Sequence, residues 1–121
     1  MKSSDFRDLK VWQKAMDLTI EIYRITRCLP REETYGLSDQ MRRAAVSVPS
    51  NIAEGQGRDS CREFIHFLSM ARGSLRELST QLEICERLQF IEGSEVSISD
   101  SLIIEVDKMI TALASKLKTD N

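Results

Sequence analysis

Few residues in this chain are equipped for chemistry. The single histidine, His66, stands three positions after Glu63, and Glu-x-x-His is half of the motif that holds a di-iron centre inside a helical bundle. The other half, a second such pair with two further inward glutamates, is not supplied by one chain. Glu63 also has a simpler use as part of a helix cap, so His66 reads as a helix-surface or interface residue, and no metal or other cofactor is expected. The segment Gly55-Gln56-Gly57-Arg58-Asp59-Ser60 has the glycines of a phosphate loop without its Gly-Lys-Ser/Thr ending, and it follows a helical pattern where such loops follow a strand. Only Arg58 and Arg62 keep an anion-binding option there, because they flank a helix start whose free N–H groups and dipole favour negative charge. Cys28, Cys61 and Cys85 contain no Cys-x-x-Cys pair, so buried free thiols are expected rather than disulfides or zinc ligands. One histidine cannot build a Ser/His/Asp or Cys/His constellation, and the expectation is a protein that is not an enzyme.

Charge is more informative in its distribution than in its sum. The chain totals −2, which lacks the overall basic footprint of a dedicated nucleic-acid-binding domain. Residues 42–76 nevertheless carry six arginines against three acids, while residues 77–121 carry four basic and nine acidic groups. Arg42, Arg43, Arg58, Arg62, Arg72 and Arg76 are therefore candidate contacts to RNA, DNA or another anion, since arginine suits bidentate phosphate recognition. Pairing with acids of a neighbouring helix or subunit is the competing use.

Four amphipathic helices must position these residues. From about Leu9 to Leu29, Val11, Ala15, Leu18, Ile22, Ile25 and Leu29 recur every three or four residues, with Trp12, Met16, Ile20 and Tyr23 on an adjoining stripe, and Pro30 stops the run. A second helix is expected from Leu37 to Glu54 with Pro49 inside it. The missing N–H there orphans the Ala45 carbonyl, which predicts a kink or a break, and Gly55 and Gly57 are expected to end the helix. Ser60-Cys61-Arg62-Glu63 fits a capping box. It opens a third helix reaching about Gln89, whose seam Phe64, Leu68, Ala71, Leu75, Leu78, Leu82, Cys85 alternates steps of four and three. A fourth helix is expected over Glu95–Lys118 with Leu102, Val106, Met109, Leu113 and Leu117 inward. Short connections favour antiparallel neighbours, so the fold class is all-α, an up-down-up-down four-helix bundle forming one domain over residues 1–121. Val46, Ile65 and Phe67 lie off the inward seams, and Gly73 and Ser74 allow close backbone approach; these five are the candidate subunit interface.

Composition agrees: 41% apolar and 30% charged residues with five glycines and two prolines describe an ordinary globular helical chain. The N-terminus has no apolar run of a secretory signal, and nothing approaches the ~20 apolar residues of a membrane span, so a cytoplasmic protein is expected.

Several strings then resemble a known family. They are Phe6-Arg7-Asp8-Leu9-Lys10-Val11-Trp12-Gln13-Lys14-Ala15, Tyr35-Gly36-Leu37 with Gln40-Met41-Arg42-Arg43-Ala44-Ala45, Ser50-Asn51-Ile52-Ala53-Glu54-Gly55, and Ala71-Arg72-Gly73-Ser74-Leu75-Arg76-Glu77-Leu78. Together they are similar to bacterial four-helix-bundle proteins encoded in intervening sequences of large-subunit ribosomal RNA genes, which have relatives among the accessory variability proteins of diversity-generating retroelements. The resemblance implies an antiparallel bundle assembled as a ring-like homopentamer with no known catalysis, and the role expected of such a protein is that of a scaffold or adaptor. For the retroelement relatives it implies a basic barrel that binds nucleic acid and a reverse transcriptase, a picture from which the charge of −2 departs. Within the most specific string, Asn51 is expected to donate to a carbonyl freed near Pro49, and Glu54, facing an unfavourable helix dipole, to pair with Arg58 or Arg43. Asn51, Glu54 and Gly55 thus form a structural motif.

Overall fold

Every periodic stretch becomes a helix. The computed structural model describes residues 5–120. A 3-10 turn, Phe6–Asp8, leads into α1 (Lys10–Thr26); a second, Arg31–Glu33, precedes α2 (Leu37–Gln56); then come α3 (Cys61–Arg87) and α4 (Gly93–Thr119), with no strand among the described residues. Each helix packs against its two neighbours and not across the diagonal. Paired contacts set an antiparallel register throughout. Thr19 and Thr26 of α1 reach Ala45 and Arg42 of α2, Met41 and Ser47 of α2 reach Cys85 and Ser74 of α3, and Arg72 of α3 reaches Asp107 of α4. Lys14 and Arg24 of α1 close the circuit onto Glu105 and Glu95 of α4.

The core is the set of inward seams. Ala15, Leu18, Ile22 and Ile25 of α1 meet Met41, Ala45, Val48 and Ile52 of α2, Leu68, Leu78 and Leu82 of α3, and Val106 and Ile110 of α4, all fully buried. The α3 seam is inward as its spacing requires, with Phe64 half-buried at one end. The α4 seam is corrected by about one position: Val96, Ser99, Ile103, Val106 and Ile110 are buried, while Leu102, Met109, Leu113 and Leu117 pack partly buried beside them. In α1, Ile20 is 65% exposed although it lies on the apolar stripe.

The helix ends differ from expectation in instructive ways. α1 stops at Thr26, and Cys28 and Leu29 turn tightly on the Ile25 and Thr26 carbonyls at 2.9 and 3.2 Å. α2 runs unbroken through Pro49 and Gly55 and is capped at Gly57. The Ala45 carbonyl orphaned by Pro49 accepts instead from Thr19 Oγ1 at 3.1 Å, a donor on another helix. At the start of α3, Ser60 Oγ accepts from the Glu63 N–H at 3.2 Å, but the Glu63 carboxylate turns to the Ser60 hydroxyl at 3.5 Å rather than to its backbone.

α3 ends in a Schellman motif. Phe90 N–H donates to Cys85 O and Gln89 N–H to Glu86 O, both at 2.9 Å, with Gln89 in the left-handed region at φ 63°. Glycine adopts this conformation without the steric cost that a side chain brings. Gln89→Gly is expected to stabilise the protein by about 1 kcal/mol, read as a higher midpoint in urea; an unchanged or lower midpoint contradicts this.

The cysteines are not uniformly buried. Cys28 is exposed and Cys61 half-exposed, because they fall outside the seams; only Cys85 lies in the core, 3.6 Å from Met41 Sδ. Burial, with a smaller contribution from the Glu33 charge, pushes the Cys85 thiol up to about 11. The folded state therefore holds this proton more tightly than the unfolded chain. The resulting stability is complete below about pH 9 and is lost as pH rises from about 9 to about 11. At neutral pH, iodoacetamide is expected to modify Cys28 and Cys61 in the folded protein and Cys85 only after unfolding. Equal modification of all three under native conditions contradicts this.

Candidate functional site

The arginine-rich segment does not fold into one stripe. Arg42 is half-buried, with Nε donating to Thr26 Oγ1 at 2.7 Å and its guanidinium 4.8 Å from the Tyr23 ring centre. Arg43 pairs with Asp39 at 2.9 Å and Arg72 with Asp107 at 2.8 Å. Arg58 pairs with Glu54 at 2.6 Å and lies over Phe67 at 4.8 Å. Arg62 and Arg76 are exposed and make no ion pair among the described residues. Arg42 is near the start of α2 and Arg58 lies beyond its end, with about 21 Å of helix from Arg42 to Gln56 between them, so one small anion cannot touch both. At the start of α3 the anion option is narrowed further, since Glu54 already occupies Arg58 and the Glu63 carboxylate sits at the Ser60 hydroxyl.

The string Ser50–Gly55 is explained by packing. Asn51 Nδ2 donates to Ser47 O at 2.8 Å, and Glu54 finds Arg58, one of its two expected partners. Gly55 is buried against α3. A Cβ there would lie 2.8 Å from both Phe64 Cδ1 and Phe67 Cβ.

Of the candidate interface residues, Val46 is 41% exposed and Gly73 faces open space. Ile65 is half-buried. Phe67 packs beside Gly55, and the Ser74 hydroxyl bonds to Ser47 Oγ, so both engage α2 within the protomer. His66 is exposed, 5.6 Å from the Phe67 ring centre. No group of three or more His, Cys, Asp or Glu is arranged to hold a metal among the described residues.

A cluster that sequence reasoning missed lies where α1 gives way to α2. Pro30 and the turn after it fold the chain back so that Arg27, Arg31 and Arg42 line one cleft of about 300 Å³ with Thr26, Thr34 and Ser38. The three arginines belong to different local patterns, and only the reversal at Pro30 signals that they meet. A second cleft, about 340 Å³, lies at the opposite end among Leu9, Arg58, Cys61, Phe64, Lys116 and Leu117.

No helix among the described residues is long and apolar enough to cross a membrane. In fold, the chain is similar to a solved protein of unknown function from the S23 ribosomal protein family of Bacteroides thetaiotaomicron. The TM-score is 0.80 with 22% identity, over 86% of this chain and 97% of that one. No curated protein matches the sequence. The sequence profile described as 23S rRNA-intervening sequence protein matches residues 7–112. That span takes in α1 to α3 and most of α4, and the chain belongs to the 23S rRNA-intervening sequence protein family.

Proposed function

We propose that this protein is a non-catalytic cytoplasmic scaffold or adaptor that works as a homo-oligomer. The subunit number, five, follows the family resemblance. One observation carries the reading: Ile20, Val46, Met70, Ile84, Leu88, Ile98 and Ile104 are 40–65% exposed on a bundle whose core is already filled. Single exposed apolar residues are ordinary. These are spread over all four helices, as suits a head-to-tail ring, which joins two different patches of each subunit, whereas a two-fold dimer uses one patch twice.

Sedimentation of the wild type beside Ile20→Glu and Ile104→Glu tests this. The wild type is expected as a multimer, with at least one variant falling to smaller species at unchanged helical content. A wild-type monomer, or two variants of wild-type mass, overturns it. A second reading, an accessory protein binding RNA or DNA, alone or alongside a reverse transcriptase, draws on Arg62 and Arg76, which are exposed and make no ion pair among the described residues. Titration of Arg62→Gln/Arg76→Gln with RNA at two salt concentrations tests it, because phosphate contacts weaken steeply as salt rises.

A further inference from the structure

We propose that the cleft between the end of α1 and the start of α2 binds the phosphate group of a nucleotide, with Tyr35 as the platform for its base. The proposal is independent of the assembly reading. Three arginines, Arg27, Arg31 and Arg42, line this one cleft. Arg42 is held by Thr26 Oγ1 on its Nε and by the Tyr23 face, which leaves its terminal NH groups uncommitted in a fixed orientation. Arg27 and Arg31 are exposed and make no ion pair among the described residues. The nearby acids are largely committed elsewhere: Asp39 holds Arg43, and Glu33 Oε1 accepts from the Leu37 N–H at 3.2 Å at the start of α2. Glu32, exposed beside Arg31, and the still-charged Glu33 leave two acids against three cations.

Three like charges with too few counter-ions repel, and a doubly charged anion with several acceptor oxygens reverses the sign of that interaction. Arginine's planar fork suits phosphate oxygens in particular. The Ser38 hydroxyl adds a donor from the wall, whereas Thr34 has directed its own proton to Arg31 O at 2.8 Å. At about 300 Å³ the cleft is at the small end of ligand sites, so it fits a phosphate and leaves a base outside. Tyr35, next in sequence to Thr34, is 95% exposed. An aromatic ring that buries nothing in its own protomer beside a cationic cleft is the pairing by which proteins hold single nucleotides and single strands.

The full chain is titrated calorimetrically with UMP, ribose 5-phosphate and uridine, and by anisotropy with a labelled ten-uridine RNA at 50 and 200 mM salt. UMP and ribose 5-phosphate are expected to bind and uridine to be silent. Arg27→Gln/Arg31→Gln, which leaves the core untouched, should weaken phosphate binding at least tenfold with its melting temperature unchanged. Tyr35→Ala should weaken UMP roughly tenfold and leave ribose 5-phosphate as it was. A free nucleotide is the source if UMP binds as tightly as the RNA; a nucleic-acid strand is the source if the RNA binds far more tightly with a steep salt dependence. Silence of every phosphate probe overturns the proposal, as does binding that the double variant leaves intact. Loss in Arg62→Gln/Arg76→Gln instead would place the phosphate on α3.

Discussion

Gly55→Ala is expected to lower the melting temperature by about 8 °C, while Gly73→Ala, the same substitution in the middle of α3, raises it. The two glycines share a helical setting, so each gains about 1 kcal/mol of helix propensity as alanine. Space decides the sign. At Gly55 the new Cβ would meet Phe64 Cδ1 and Phe67 Cβ at 2.8 Å, and Phe67 Cβ is fixed to its backbone, so α2 and α3 must separate. Overpacking of this kind costs about 3 kcal/mol, leaving a net loss of about 2 kcal/mol and the stated shift for a domain of this size. At Gly73 nothing lies within 4 Å, and the propensity gain of about 1 kcal/mol survives. Thermal melts of the two variants check the pair, and a Gly55→Ala protein as stable as the wild type would contradict the packing account.

The second large effect concerns the hydrogen bond that Pro49 removes. Thr19→Val deletes the Oγ1 that donates to Ala45 O at 3.1 Å, and a buried carbonyl left alone is expected to cost about 2 kcal/mol. The single Thr19 hydroxyl proton is shared with Ala15 O at 2.8 Å, but that carbonyl keeps its own helical N–H. Pro49→Ala supplies Ala45 O with the ordinary helical donor. In that background Thr19→Val should cost less than about 1 kcal/mol, a coupling above the ~0.5 kcal/mol within which independent sites add. Urea midpoints of the four proteins in the cycle provide the check. Full additivity would mean that Thr19 does not replace the donor lost at Pro49.

These sites mark where sequence reasoning ran out. From Ala71 to Leu82 the α3 seam was readable because polar or small residues separate its apolar positions, so only one face fits. In α4 the run Leu102-Ile103-Ile104 is apolar all round, and a helical period cannot choose among three neighbours. The orphaned Ala45 carbonyl was legible from Pro49 alone, but its donor was not: Thr19 lies twenty-six residues away, and Asn51, the local candidate, serves Ser47. Gly55 looks like a helix terminator until Phe67 is known to face it. The ion pair of Glu54 with Arg58 follows a simple i,i+4 rule and was legible. Arg27 and Arg31 carry no charge signal of their own, because residues 1–41 balance seven basic against seven acidic groups, and only the chain reversal at Pro30 brings them to Arg42.

Assembly is the claim on which the functional reading stands, and mass in solution tests it most directly. Light scattering of the purified protein over a hundredfold range of concentration is expected to return a constant mass near five times 13.8 kDa, unchanged by moderate salt because the proposed contacts are apolar. A mass of one chain throughout that range would contradict the account, leaving the exposed isoleucines as scattered surface residues and the scaffold without its subunits.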